Sequence, residues 1–358
     1  MNKEWSDKNK QMQKLINKLS TYNEGIKLLL ELRESLFLQV TQIVNGYPDE
    51  AFWKMPFKGA DGYHSLSMAF SIWHVFRIED IVVHSLIAGD EQVLFSGNWL
   101  EKIGSKIITT ANELRDDEIE EFSKSLNVGA LYDYAAAVKA STDEVLKSLE
   151  YSDLKRTFGE ADKKRLFDSG CVSHDEEAVW LIDYWCGKDV AGLIKMPLSR
   201  HWIMHIEAMQ RIKNKLCKLA RKGVDPIAYC GFSCNHCFLG QWCGSCRTEY
   251  NVCSFATCMP DKKCPNAVCC QEKKFDGCYE CSEIEHCTRG FYVETNDGAI
   301  AAKVQAMFIA KHGKKAFLQL HDLLHEKYEF EKTQEILGQD LKKGFEFLEQ
   351  VWEGKVFP

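Results

Sequence analysis

Nowhere in its 358 residues does the chain run apolar for the ~18 positions that a helical bilayer crossing needs. No membrane partner is therefore expected. Residues 1–14 are polar and charged, without the apolar centre of a secretory signal, so the expected location is the cytoplasm. Proline is scarce, and no Pro/Gly/Ser-rich linker, low-complexity tract or internal repeat divides the chain. The glycine-rich cradles G-x-G-x-x-G and Walker A are missing, as is the nucleophile elbow. These absences remove the usual backbone grips for nucleotide phosphates and the exposed serine of an α/β-hydrolase. Positive charge is in deficit as well, with 45 Lys and Arg against 52 Asp and Glu. A nucleic-acid partner, which would need clustered bases on its phosphates, is not expected.

What the chain does have is cysteine. Thirteen of its sixteen cysteines fall in one stretch: Cys230, Cys234, Cys237, Cys243, Cys246, Cys253, Cys258, Cys264, Cys269, Cys270, Cys278, Cys281 and Cys287. Three C-x2-C pairs stand among them, Cys234/Cys237, Cys243/Cys246 and Cys278/Cys281, the spacing by which a chain wraps two thiolates round one tetrahedral ion. A disulfide framework would need an oxidising compartment, and nothing points to secretion, so metal thiolates are the expected state. All thirteen are candidate ligands, enough for two or three zinc ions, and His236 or His286 could replace a cysteine. Cys269 and Cys270 are adjacent and are not expected to share an ion. Cys230, Cys234 and Cys237 also spell C-x3-C-x2-C, an iron–sulfur spacing, but the remaining chain is too short for the barrel that usually follows it. Cys171, Cys186 and Cys217 read as small buried hydrophobes.

Elsewhere the apolar period is helical, and the fold class is mainly α. Long helices are expected at about 23–45, 65–88, 130–149 and from 197 or 199 to 222, with a shorter one at 175–186. Gly89 offers a C-terminal cap for the second. After 290 the chain returns to helix, with segments expected at 296–310, 314–325 and within 335–352, and with Gly313 as a stop.

Histidine is the second source of chemistry. His201 and His205 stand one turn apart on the apolar stripe of the last long helix before the cysteines, and an i, i+4 pair can hold one ion through two imidazoles. The alternative is two packed, hydrogen-bonded rings. His74, on the stripe of the second helix, supplies the third imidazole that an open catalytic site requires. His321 and His325 form another i, i+4 pair but read as surface or packed residues, because no third ligand on a core face accompanies them. Glu79 and Asp80 read as solvated or salt-bridged.

The segment Trp73-His74-Val75-Phe76-Arg77-Ile78-Glu79-Asp80, followed by Arg200-His201-Trp202-Ile203-Met204-His205, resembles the DinB/YfiT-like superfamily of four-helix-bundle metalloproteins over about residues 20–222. The resemblance implies a DinB-like bundle and a divalent ion on His74, His201 and His205. The enlarged stretch at 99–196 departs from that pattern. Cys230-Gly231-Phe232-Ser233-Cys234-Asn235-His236-Cys237, with Cys243-Gly244-Ser245-Cys246-Arg247, resembles a small bacterial cysteine-rich family of uncharacterised function and implies a zinc-binding module up to about 291. The expected organisation is a bundle at 1–223, a cysteine-rich metal-binding module at 224–290 and a C-terminal helical segment at 291–358.

Two functions follow as expectations. One is a metal-dependent hydrolase or thiol transferase acting on a small molecule or thiol; the other is a non-catalytic metal-binding or stress-response adaptor whose cysteine module docks a partner. A homodimer is a candidate assembly.

Overall fold

A computed structural model describes residues 2–44, 47–237, 243–250, 254–257, 259–261 and 263–354. The described residues are mainly helical, with two isolated β-bridges and no strand. Two compact units divide the chain, one formed by Met1–Val44 and Asp49–Lys213, the other by Asn45–Pro48 and Asn214–Pro358. No described helix is long and apolar enough to cross a membrane.

In the first unit, α1 (Lys3–Ile16) is a helix that the sequence pattern did not predict. It buries Trp5, Met12 and Ile16, three apolar positions diluted by lysines. Then come α2 (Tyr22–Val44) and α3 (Met68–Asp80). Ser67 caps α3 through Oγ, which accepts the Phe70 N–H at 3.0 Å, a contact that stabilises a helix start by about 1 kcal/mol. Beyond α3 the helix widens into a π-helical stretch, Ile81–Ala88, and Gly89 ends it in the left-handed conformation at φ 75°. The region 99–196 contains α4 (Asp116–Ser125), α5 (Val128–Ser148), α6 (Glu160–Asp168), α7 (Glu176–Cys186) and α8 (Val190–Lys195).

A second π-helical turn, Met196–Arg200, leads into α9 (His201–Ala220). Pro197 has no N–H to give to the preceding turn. Two residues on, the Ser199 hydroxyl donates to the Ile194 and Lys195 carbonyls at 2.9 and 3.0 Å. Both histidine-bearing helices of this unit thus adjoin a π-helical turn, a departure often found at functional sites.

The four long helices α2, α3, α5 and α9 meet through aromatic and polar contacts. Phe37, Phe76 and Trp202 pack together with centroids 4.8–6.4 Å apart, joining α2, α3 and α9. Tyr132 on α5 donates to the Val40 carbonyl of α2 at 3.0 Å.

In the second unit, α10 (Pro265–Lys273) lies within the cysteine-rich stretch, followed by α11 (Asp297–Lys327), α12 (Phe330–Gly338) and α13 (Leu341–Trp352). Asn296 caps α11 by accepting the Ala299 N–H at 3.0 Å, and Gly313, at φ 82° and ψ 163°, breaks it into two helical pieces. Ile227, Cys270, Cys278, Tyr279, Ile284 and Tyr292 share one core with Ala302, Phe308, Phe317 and Leu348. The cysteine-rich stretch therefore shares its larger core with the helices that follow it, beside a small cluster of its own at Ala256, Cys264 and Ala267.

Candidate metal centre

His74, on α3, is oriented from outside its helix. Its Nδ1 lies 2.8 Å from the Thr110 carbonyl oxygen, and because a carbonyl can only accept, Nδ1 carries the proton and Nε2 keeps its lone pair. The strap that supplies this carbonyl is tied down on both sides. Trp73 Nε1 donates to Thr109 O at 3.0 Å, and Arg77 Nε donates to Ile108 O at 2.7 Å.

His201 and His205, one turn apart on α9, face that ring. Centroid separations are 5.1 Å for His74–His201, 5.0 Å for His74–His205 and 4.6 Å for His201–His205. All three are buried, and each offers a ring nitrogen within 4.8 Å of the other two. This is the only such group of three potential ligands among the described residues. An ion held at ~2.0–2.1 Å by tetrahedral nitrogens spaces them roughly 3.3 Å apart, so the triad closes by small ring rotations.

The electrostatics favour ligation. Burial pushes the His74 imidazolium down to about 4 despite the Thr110 bond, and burial followed by the neighbouring imidazoles pushes His201 and His205 well below the ordinary histidine range. Three neutral rings keep their lone pairs at neutral pH. His201 Nδ1 and both nitrogens of His205 have no hydrogen-bond partner in the protein. Leaving a buried polar atom unpaired costs about 1–3 kcal/mol, so a core that does so three times over fits a bound cation better than simple packing. Phe70 stacks on His74 at 5.6 Å, and Tyr63 lies 4.4 Å from the His205 ring.

No protein-family model, curated protein or solved structure matches this chain.

Glu79 and Asp80 are buried and fully engaged. Arg33, on the apolar stripe of α2, grips Glu79 with both terminal nitrogens at 2.9 and 2.8 Å and Asp143 with Nε at 2.7 Å, while Trp202 Nε1 donates to Glu79 at 2.8 Å. Asp80 accepts from Arg77 at 3.1 Å, from Tyr134 at 2.7 Å and from the Val93 and Leu94 N–H groups at 2.8 and 2.9 Å. Neither carboxylate is free to take a proton from a substrate. Arg33, Thr110 and Tyr134 are the residues that pattern reading missed, although a lone arginine on an apolar stripe was the signal for the first.

The cysteines divide between two cavities of the second unit. Cys230, Cys234, Cys237, Cys243, Cys246 and Cys264 line one of ≈350 Å³; Cys269, Cys270, Cys278, Cys281 and Cys287 line another of ≈290 Å³. Cys253 and Cys258 lie outside the described residues. The described cysteines are unbridged. Backbone N–H groups point at two sulfurs, Ser245 to Cys243 and Tyr229 to Cys246, both at 3.4 Å, as they would at thiolates.

Cys270 and Cys278 approach to 3.7 Å, and their shared hydrogen bond draws the Cys278 thiol down to about 7 while pushing Cys270 up. The adjacent Cys269 turns instead to Arg289 at 3.9 Å. Arg247, next to Cys246, joins the two groups: its Nη2 donates to the Asp276 carbonyl at 2.6 Å and to the Tyr279 hydroxyl at 2.9 Å.

His321 and His325 are packed, one of the two states their sequence reading allowed, and the part-exposed His236 ring from the first cysteine loop lies beside them at 5.2 and 4.3 Å. His286 is exposed.

Proposed function

We propose that this chain is a cytoplasmic metalloprotein in which His74, His201 and His205 hold one divalent ion, and that it carries out hydrolysis or thiol transfer on a small molecule. The observation that carries the reading is the convergence of three buried imidazoles, one of them unpartnered on both nitrogens. The helix order and the His74/His201/His205 spacing agree with a DinB/YfiT-like ancestry. Three protein ligands leave a fourth position, and a divalent ion there would acidify water or a thiol and polarise an electrophile.

The chain's own residues do the rest. The Thr110 carbonyl holds His74 in one tautomer, and Phe70 fixes the plane of its ring. Tyr63, on a short 3₁₀ turn at Tyr63–Ser65 and 38% exposed, covers His205, so displacement of this turn would give a substrate its way in. With Glu79 and Asp80 engaged, neither receives the proton of an incoming water or thiol.

In the cysteine-rich stretch we assign structural zinc to the two cysteine groups. The 3.7 Å separation of Cys270 and Cys278 supports this, because a tetrahedral centre with Zn–S of ~2.3 Å has an edge of roughly 3.8 Å.

One observation favours the non-catalytic alternative, a metal-binding adaptor: His205 is 0% exposed. Elemental analysis and cobalt substitution separate the readings. His74→Ala, His201→Ala and His205→Ala should each lower the metal content by one ion per chain, and an unchanged content refutes the site. A small thiol should shift the cobalt d–d bands of the histidine site if a coordination position is open; bands indifferent to it would leave the adaptor. A strong chelator should strip the cysteine-bound ions and abolish amide protection in 226–290 while the first unit stays helical. Persistent protection after complete metal removal would sink the structural zinc.

A further inference from the structure

His236, His321 and His325 bring three imidazoles together in the second unit, though without the nitrogen convergence of the first triad. His321 and His325 stand one turn apart on α11, and His236 comes from the loop between Cys234 and Cys237. Their centroids are 5.2 Å (His236–His321), 4.3 Å (His236–His325) and 4.5 Å (His321–His325) apart, close to the 4.6–5.1 Å of the His74 group.

The free donors are specific. His321 is 2% exposed and its Nδ1 has no hydrogen-bond partner in the protein; the same holds for His325 Nε2. His236 Nε2 lies 2.8 Å from Asp322 Oδ1. A carboxylate oxygen accepts, so the ring N–H facing it is on Nε2 and Nδ1 is the atom left for an ion, the arrangement by which a carboxylate orients a metal-binding imidazole. Thr110 does the same for His74 in the first unit.

We propose that His236 Nδ1, His321 Nδ1 and His325 Nε2 form a second divalent-metal site, oriented by Asp322 and suited to an imidazole-preferring ion such as zinc, cobalt or nickel. It stands open in this structure. The His236 and His325 rings lie face to face at an interplanar angle of 9°, so their in-plane lone pairs run side by side and do not meet. Closure requires the His236 ring to turn about χ2, a soft torsion, and its side chain is 30% exposed and has room to do so. The other two rings are walled by Phe317 and Phe330 at 5.1 and 6.2 Å and provide the fixed half of the site.

The consequence is a clasp. An ion here ties the loop that carries Cys234 and Cys237 to α11, holding one wall of the first cysteine cavity by nitrogen ligation from outside.

The test uses full-length protein loaded with cobalt, with metal content and the optical spectrum measured together. His325→Ala and His321→Gln should each lower the content by one ion per chain while the thiolate-to-cobalt charge-transfer bands keep their intensity. His236→Asn, at a part-exposed position, should do the same with helicity intact. In a His201→Ala background the loss should be two ions, which separates this site from the His74 site. An unchanged count in His236→Asn, or a loss of charge-transfer intensity showing that the cysteine-bound ion has gone instead, overturns the proposal.

Discussion

Replacing Glu79 with Gln tests whether this carboxylate, on the same helix as His74, is structural or a proton carrier. In the folded chain it accepts from both terminal nitrogens of Arg33 and from the Trp202 indole, and both members of the ion pair are 0% exposed. The amide keeps the shape and one acceptor oxygen but turns an NH2 group towards a guanidinium and removes the neutralising charge. Arg33 is then balanced by Asp143 alone, at 2.7 Å. Removing one partner of a buried pair costs about 3–5 kcal/mol, and the surviving Asp143 contact places Glu79→Gln near the lower figure. For a unit of this size, 3 kcal/mol lowers Tm by about 6–12 °C. The assay is thermal and urea denaturation followed by tryptophan fluorescence, with metal content measured in parallel; the midpoint should fall while the urea slope stays constant. Arg33→Met combined with Glu79→Leu should recover part of the loss, because apolar replacement removes both desolvation costs. If Glu79→Gln unfolds within about a degree of wild type, the ion pair contributes nothing and the carboxylate is free for chemistry after all.

Two further outcomes follow from local geometry in the second unit. Gly231 sits at φ 92°, and a Cβ there would lie 2.8 Å from the backbone nitrogen of Ala306 on α11, so Gly231→Ala should destabilise that unit by about 2 kcal/mol or more, read as a lower melting temperature; an unchanged melt would mean the loop moves freely against the helix. Although burial raises the Glu349 carboxyl, its bonds to Lys311 and His312 win and hold it below the ordinary carboxylate range. Its contribution is therefore present above the unfolded value of ~4.3 and fades as pH falls through the folded one, so Glu349→Gln should flatten the acid limb of the stability curve just below pH ~4.3. An acid limb identical to wild type would contradict this.

Periodicity located the long helices because each buries a continuous stripe, and it placed His74, His201 and His205 on inward faces for the same reason. What it missed has two physical sources. Local departures such as the π-helical turns at Ile81–Ala88 and Met196–Arg200 leave the apolar pattern almost unchanged, since they alter hydrogen-bond register more than burial. Long-range polar contacts leave no pattern at all. Arg33 finds Asp143 across 110 positions and His236 finds Asp322 across 86, and neither partner has a sequence feature that names the other. For this reason the nearness of the His236 ring to His321 and His325 left no trace in the sequence.

The two histidine triads differ in what holds them, and the difference bears on what each can do. In the first, all three rings are buried on helices and His74 is locked by a backbone carbonyl in a strap that is itself tied to α3. Such a site needs only small ring rotations to take an ion and is suited to binding that must be reproducible from turnover to turnover. In the second, one ring is part-exposed and is oriented by an exposed carboxylate, so an ion there would have to turn that ring. Affinity would be reduced by the work of that rearrangement, and the gain would be a response, because ring position would then depend on metal supply. If one of the two sites is catalytic, the smaller rearrangement assigns that role to His74, His201 and His205; if one senses metal, the larger assigns it to His236, His321 and His325.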